Sequence, residues 1–226
     1  MRSGGFGDAH THTHTLSLSL FAMLKTLLCD LGNVLVFFSH ERMCRQIAKV
    51  GGCESKAVEQ ALLKSGLQAR LERGELDDNA GRMVLEEALQ TTLPEAEFRV
   101  AMGDIFTLNL DMPAMLDCLK SQGIRLVLLS NTCATHYEWI SDQFFPLLWS
   151  FDAEVLSYAV KAAKPDDAIF EHALQQIDCL PEECLYIDDI PEYVAAGMRH
   201  GLMGHCFTDL GPLLPRLDQL GVNLNA

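Results

Sequence analysis

At 226 residues the chain is long enough for one large domain, or for a domain carrying a smaller insert. Its 31 acidic residues against 17 basic ones leave a formal net charge of -14, and such a surface repels polyphosphate backbones. No uninterrupted apolar run reaches the roughly 18 residues that a spanning helix needs, so neither nucleic acid nor a membrane is an expected partner.

Residues 1–22 are rich in Gly, His and Thr before turning apolar. Asp8 and the His/Thr tract argue against a secretory leader, and Lys25 interrupts the apolar part. The expectation is a disordered extension, with Met23 a plausible alternative start. The eight cysteines form no Cys-x-x-Cys pair, and most sit in apolar surroundings such as "LLCD" and "ECLYI". That usage fits buried thiols in a reducing, cytoplasmic setting, and fits neither a disulfide framework nor zinc.

Thr26 to Phe38, "TLLCDLGNVLVFF", sets one carboxylate, Asp30, between two strongly apolar runs. The first run reads as a buried strand. A charge at its end is expensive to bury without a partner elsewhere. Residues 41–108 then carry apolar residues at helical spacing, with helix-start signals such as Pro94 followed by Glu95 and Glu97. An all-helical cap is expected there. Four more strands follow: Gly123–Asn131, Phe151–Ser157, Glu183–Asp189 and Gly201–Phe207. Helical patterns separate them at Pro113–Ser121, Ala134–Phe144, Pro165–Gln176 and Pro191–His200.

Strands alternating with helices predict an α/β protein with a doubly wound parallel sheet, its core built from residues 23–40 and 109–226. Ligands of such sheets bind beyond the strand carboxyl ends, where the strand order switches. Asp30, Ser130-Asn131 and Asp188-Asp189 all fall at such ends.

A carboxylate there can attack phosphorus to give an aspartyl-phosphate. The attack brings anions together, so cations are needed. Asp189 can share a hard divalent ion with Asp30, and magnesium suits oxygen ligands that leave room for a phosphate. Gly32 would let the backbone turn sharply beside the ion. Ser130 and Asn131 can offer a hydroxyl and amides to phosphate oxygens. Lys164, before Pro165, can act as a point charge on the transferring group, with Asp188 pairing with it or holding a metal-bound water.

"CDLGNV", "LLSNT", the lysine of "KPDDAIF" and "YIDDIPEYVAAG", in this order, resemble the haloacid dehalogenase superfamily, in its subgroup with a helical cap after the first strand. The resemblance implies Asp30 as nucleophile and Asp30, the Gly32 carbonyl and Asp189 around magnesium. It implies Ser130 and Lys164 on phosphate. Within that family "DLGNV" and "SNTCATHYEWISDQFFP" are similar to bacterial sugar-phosphate phosphatases. Three positions depart from the family pattern. Gly32 stands where phosphatases usually carry a second aspartate that protonates the leaving group. Tyr193 stands for an asparagine, and Asp167 for a second proline. The expected function is magnesium-dependent hydrolysis of a small phosphorylated metabolite such as a sugar phosphate. The rivals are metal-free carbon–halogen hydrolysis by the same aspartate, and a regulatory protein that binds phosphate without efficient catalysis.

Overall fold

The computed structural model describes residues 23–224. The expected N-terminal extension, residues 1–22, lies outside them. In chain order, β1 (Thr26–Cys29) leads into the short strand β2 (Val36–Phe38). Next come α1 (His40–Gly51), α2 (Ser55–Val58), a π-helical stretch (Glu59–Lys64), α3 (Leu67–Glu72), α4 (Asp78–Leu89) and α5 (Glu95–Gly103). The chain then returns through β3 (Phe106–Leu108) to α6 (Met112–Ser121) and β4 (Arg125–Ser130). Beyond β4 lie α7 (Ala134–Gln143), α8 (Phe145–Leu148), β5 (Ala153–Leu156), α9 (Ser157–Val160) and α10 (Asp167–Leu174). The last elements are β6 (Cys184–Asp188), α11 (Pro191–Arg199), β7 (Met203–Cys206) and α12 (Leu210–Gln219).

β1 is central because it is apolar on both faces, as a strand covered by two helical layers must be. Successive side chains alternate between those layers. Leu27, Cys29, Leu126, Leu128, Leu185 and Ile187 join one core with residues of α6, α7 and α12. Leu28, Val127, Leu129, Cys184 and Tyr186 join the other with residues of α10 and α11. All pairings in the main sheet are parallel, in the order β5-β4-β1-β6-β7. The order reverses at β1, so the crevice beyond its carboxyl end is the switch point of the sheet. The strands and helices expected of this core are present, shortened at their ends.

The helices between β2 and β3 form a separate core, with Met43, Ile47, Leu62, Leu71, Leu85 and Phe98 among its buried members. Phe106–Leu108, expected inside the helical block, instead pairs antiparallel with β2, Phe38 opposite Phe106. The chain therefore leaves and re-enters the sheet domain along one two-stranded stalk. Asn109 closes it, its backbone N–H donating to the Leu35 carbonyl and its side chain to that of Val34. α12 was not apparent in the sequence either, because Pro212 and Pro215 interrupt its helical pattern. All eight cysteines are free thiols, and no helix of the described residues is long and apolar enough to cross a membrane.

Several contacts tie the helical block to the sheet domain away from the stalk, among them the ion pairs Arg73–Asp166 and Arg99–Glu138 and the hydrogen bonds of Asp78. Asp78, in the first turn of α4, accepts hydrogen bonds from the Thr135 backbone N–H at 2.6 Å and its hydroxyl at 2.5 Å. Hydrogen bonds to a charged acceptor contribute about 1.5–3 kcal/mol each when buried, less when part-exposed. Asp78→Ala is therefore expected to lower unfolding stability by about 1–2 kcal/mol in urea titration. An unchanged midpoint would show that the Asp78 hydrogen bonds contribute nothing to the stability of the fold.

Candidate active site

Asp30 follows the last residue of β1, and its N–H donates to the Ile187 carbonyl of β6 at 3.0 Å. This extends the sheet pairing by one residue, fixing the carboxylate over the strand end at 6% exposure. Ser130 ends β4 and Asp188 ends β6, both buried. Lys164 arrives from the loop before α10 and is only 2% exposed. Its ammonium donates to Asp30 Oδ1 at 2.7 Å, to Asp188 Oδ2 at 2.7 Å and to the Leu129 carbonyl at 3.2 Å. All three protons of the buried cation are thereby used, which is what burial of an ammonium requires.

The loops around this lysine are locked in pairs. Asn131 Nδ2 donates to the Lys164 carbonyl at 3.0 Å, and the Lys164 N–H donates back to Asn131 Oδ1 at 2.8 Å. Asn131, expected on phosphate, thus spends its side chain holding the lysine loop. The Ser157 hydroxyl bridges the backbone N–H and carbonyl of Thr132. Asp188 is fully engaged: Oδ2 also accepts from the Tyr186 hydroxyl at 2.6 Å, and Oδ1 from the Ile190 N–H at 2.9 Å. Of its two expected roles, pairing with Lys164 is the one realised in these contacts. Asp189 is half-buried, with one oxygen accepting from Asn33 Nδ2 at 3.0 Å.

Gly32 does not take a left-handed conformation; Asn33 does, at φ 54°, as asparagine tolerates. The sharp turn expected of Gly32 belongs to its neighbour. What Gly32 supplies is space, since a Cβ there would lie 3.0 Å from Cε1 of the Phe38 ring. A ring from the stalk fills the place a second aspartate would occupy.

Oxygens of Asp30, Asp188 and Asp189 lie within 4.8 Å of one another. Three carboxylates thus face one lysine. Burial, reinforced by Asp188, pushes the Asp30 carboxyl up to about 7 against the opposing pull of Lys164. Such an excess of buried negative charge suits a divalent cation. Asp30 and Asp189 would hold it, since both border the cavity and each has only one side-chain hydrogen-bond partner, with the Gly32 carbonyl as the third expected ligand.

These residues floor a cavity of about 200 Å³ between the sheet edge and the helical block. Its far wall was not legible in the sequence. There His40, Phe38, Phe106 and His136 form a chain of rings at successive centroid spacings of 5.0, 6.3 and 5.3 Å, joined by Ile105 and Ile140. Burial pushes His40 down and takes His136 to about 4, so both imidazoles are neutral at pH 7. His136, read from sequence as an ordinary helix-face residue, is a buried member of this wall. Glu72, at the end of α3, and Tyr193, with Lys164 Nζ 5.2 Å from its ring centroid, complete the lining.

A parallel sheet with an acidic cluster and a buried lysine at its switch point is the arrangement of an enzyme site on an α/β core. The chain belongs to the haloacid dehalogenase-like hydrolases, whose family model matches residues 24–201. It is 28% identical over 162 residues to a sesquiterpene phosphatase of Aspergillus oryzae, covering 70% of this chain and 81% of that protein. It is 25% identical over 186 residues to a D-ribitol-5-phosphate phosphatase of Bacteroides thetaiotaomicron, covering 79% and 89%. A solved family enzyme from the same bacterium superposes with a TM-score of 0.75 at 25% identity, over 85% of this chain and 98% of that one. That enzyme has also been solved in complex with magnesium and inorganic phosphate.

The Asp30 carboxyl carries a consequence for stability. Between about pH 4 and pH 7 the folded, metal-free protein retains a proton that the unfolded chain would release. A carboxyl raised in this way lowers stability as pH rises through that window. Melting temperatures measured without metal should therefore fall for the wild type relative to Asp30→Asn between pH 4 and 7. Added magnesium should remove the difference in slope by favouring the carboxylate. Parallel curves for the two proteins would contradict the raised carboxyl.

Proposed function

We propose that the protein is a magnesium-dependent phosphatase of small phosphomonoesters, acting through an aspartyl-phosphate on Asp30. The observation that carries this reading is the convergence of Asp30, Asp188 and Asp189 around the buried Lys164. In it, the Asp30 oxygen not bonded to Lys164 attacks phosphorus. Ser130 and the backbone amides after β4 hold phosphate oxygens, and Lys164 offsets their charge while aligning Asp30. A magnesium ion held by Asp30 and Asp189 would neutralise the remaining charge on the phosphoryl group. Asp188 keeps Lys164 in place. Residues 41–105 act as a cap that closes the site from water, with the β2–β3 stalk as its support.

Two relatives named as phosphatases, and a family enzyme solved with magnesium and phosphate, support the reaction type. Carbon–halogen hydrolysis is the weaker reading, because a metal-free site has little use for adjacent buried carboxylates. Purified protein should hydrolyse at least one ester in a phosphomonoester panel, lose activity to a chelator and regain it with magnesium. Asp30→Asn should lower kcat by at least about a thousand-fold. Chelator-resistant turnover, or an Asp30→Asn variant as active as wild type, would sink this reading.

For the leaving group, the wall of Phe38, Ile105, Phe106, Ile140 and two neutral imidazoles favours an apolar alcohol. A polyol would lose hydration there with few partners in return. The names of the two relatives span both kinds, a sesquiterpene and a pentitol phosphate. A sugar phosphate is the second reading, favoured by the ribitol-5-phosphate relative. Benzyl or isopentenyl monophosphate should exceed glucose 6-phosphate and ribitol 5-phosphate in kcat/KM. Phe38→Ser should raise KM for the apolar esters by about tenfold, the worth of a partly buried ring, with little effect on the sugar phosphates. The reverse order would favour the sugar reading.

A further inference from the structure

Transfer of a phosphoryl group from an ordinary alcohol leaves an alkoxide that needs a proton, and general-acid help is worth about 10²–10⁴-fold. Here the position two residues beyond Asp30 has no carboxyl, and the Phe38 ring occupies its space. The proton must come from elsewhere. Among the described residues lining the cavity, the carboxylates are Asp30, Asp189 and Glu72. The first two belong to the acidic cluster at the strand ends. Burial keeps the lining imidazoles of His40 and His136 neutral, and a neutral imidazole is a poor acid at pH 7.

Glu72 is placed differently. It comes from the end of α3 in the helical block and lines the same cavity as Asp30, Ser130 and Lys164. Its position is over-determined by what surrounds it. Gln68 Nε2, on a side chain only 5% exposed, donates to Glu72 Oε1 at 2.9 Å and leaves Oε2 for the cavity. The next residue, Arg73, pairs with Asp166 of the sheet domain at 2.5 Å. Gly74 packs so closely on it that a Cβ would lie 2.2 Å from the Tyr158 carbonyl oxygen. The end of α3 is thus clamped against the core on both sides.

We propose that Glu72 is the proton donor to the leaving-group oxygen, taking the role left vacant at Gly32. The proposal rests on the phosphatase reading. As an Asp30 oxygen bonds to phosphorus, the bond from phosphorus to the alcohol oxygen breaks, and that oxygen takes the Glu72 proton. The Glu72 carboxylate then accepts a proton from water as the water oxygen attacks the aspartyl-phosphate. Phosphate departs, and Asp30 and Glu72 return to their starting states. Burial raises the Glu72 carboxyl, against the pull of Gln68, Lys164 and Arg73, which favours the protonated form needed at the start. The other titratable groups facing it are Tyr193 and Cys133.

The test compares wild type with Glu72→Gln, at saturating magnesium, on benzyl phosphate and p-nitrophenyl phosphate. The nitrophenolate leaves without a proton. Glu72→Gln should lose about 100-fold in kcat/KM, which reports the step that expels the alcohol, on the benzyl ester and less than about fivefold on the nitrophenyl ester. It should also lose the alkaline fall of the wild-type kcat/KM profile for the benzyl ester. Equal losses on the two esters, with the alkaline limb retained, would mark Glu72 as merely structural and overturn the proposal, as would no loss on either. A wild type inactive on every phosphomonoester would instead bring down the phosphatase reading, and this inference with it.

Discussion

The fold is organised around one buried cation. Lys164 lies at the carboxyl ends of β1, β4 and β6 and spends its three protons on Asp30, Asp188 and the Leu129 carbonyl. None of these groups could be buried alone at acceptable cost. Asp188 is fully enclosed and would be an uncompensated charge without the lysine. The lysine without the carboxylates would be forced neutral. The surrounding backbone serves this arrangement: Asn131 clasps the Lys164 main chain, and Ser157 fastens the residue after it on the β4 loop. Burial, reinforced by Asp188, still raises the Asp30 carboxyl against the pull of Lys164.

The second constraint is the stalk. β2 and β3 carry the chain out to the helical block and back, and in doing so set Phe38 and Phe106 at the mouth of the crevice. Phe38 then has two consequences at once. It links His40 to Phe106 in the row of rings that lines the far side of the cavity, and it packs against Gly32. A departure at one position of a short motif is thus matched by a residue six places later. An apolar wall and a missing carboxyl are two faces of the same packing.

Much of this was legible beforehand because it rests on local pattern. The apolar runs ending in Asp30, Ser130 and Asp188 read as buried strands with polar tips, and all three are such strands. The stalk was hidden because a three-residue strand with exposed Phe37 shows no alternation. α12 was hidden by its prolines. The position of Asn131 at a strand end was visible, whereas the clasp of its side chain on the Lys164 backbone, 33 residues away, was not. Glu72 drew no notice because a glutamate at a helix end is, by sequence, an ordinary solvated charge.

What the sequence by itself determined is therefore the alternating sheet-and-helix order, the edge at which the chemistry collects, and the identity of the residues gathered there. Those follow from periodicity and from the cost of burying charge, both of which act along a few neighbouring residues. Only the tertiary structure decided which oxygen Lys164 takes, and which rings and which carboxyl close the far wall. These depend on contacts between segments tens to more than a hundred residues apart, and no local pattern encodes the distance between them.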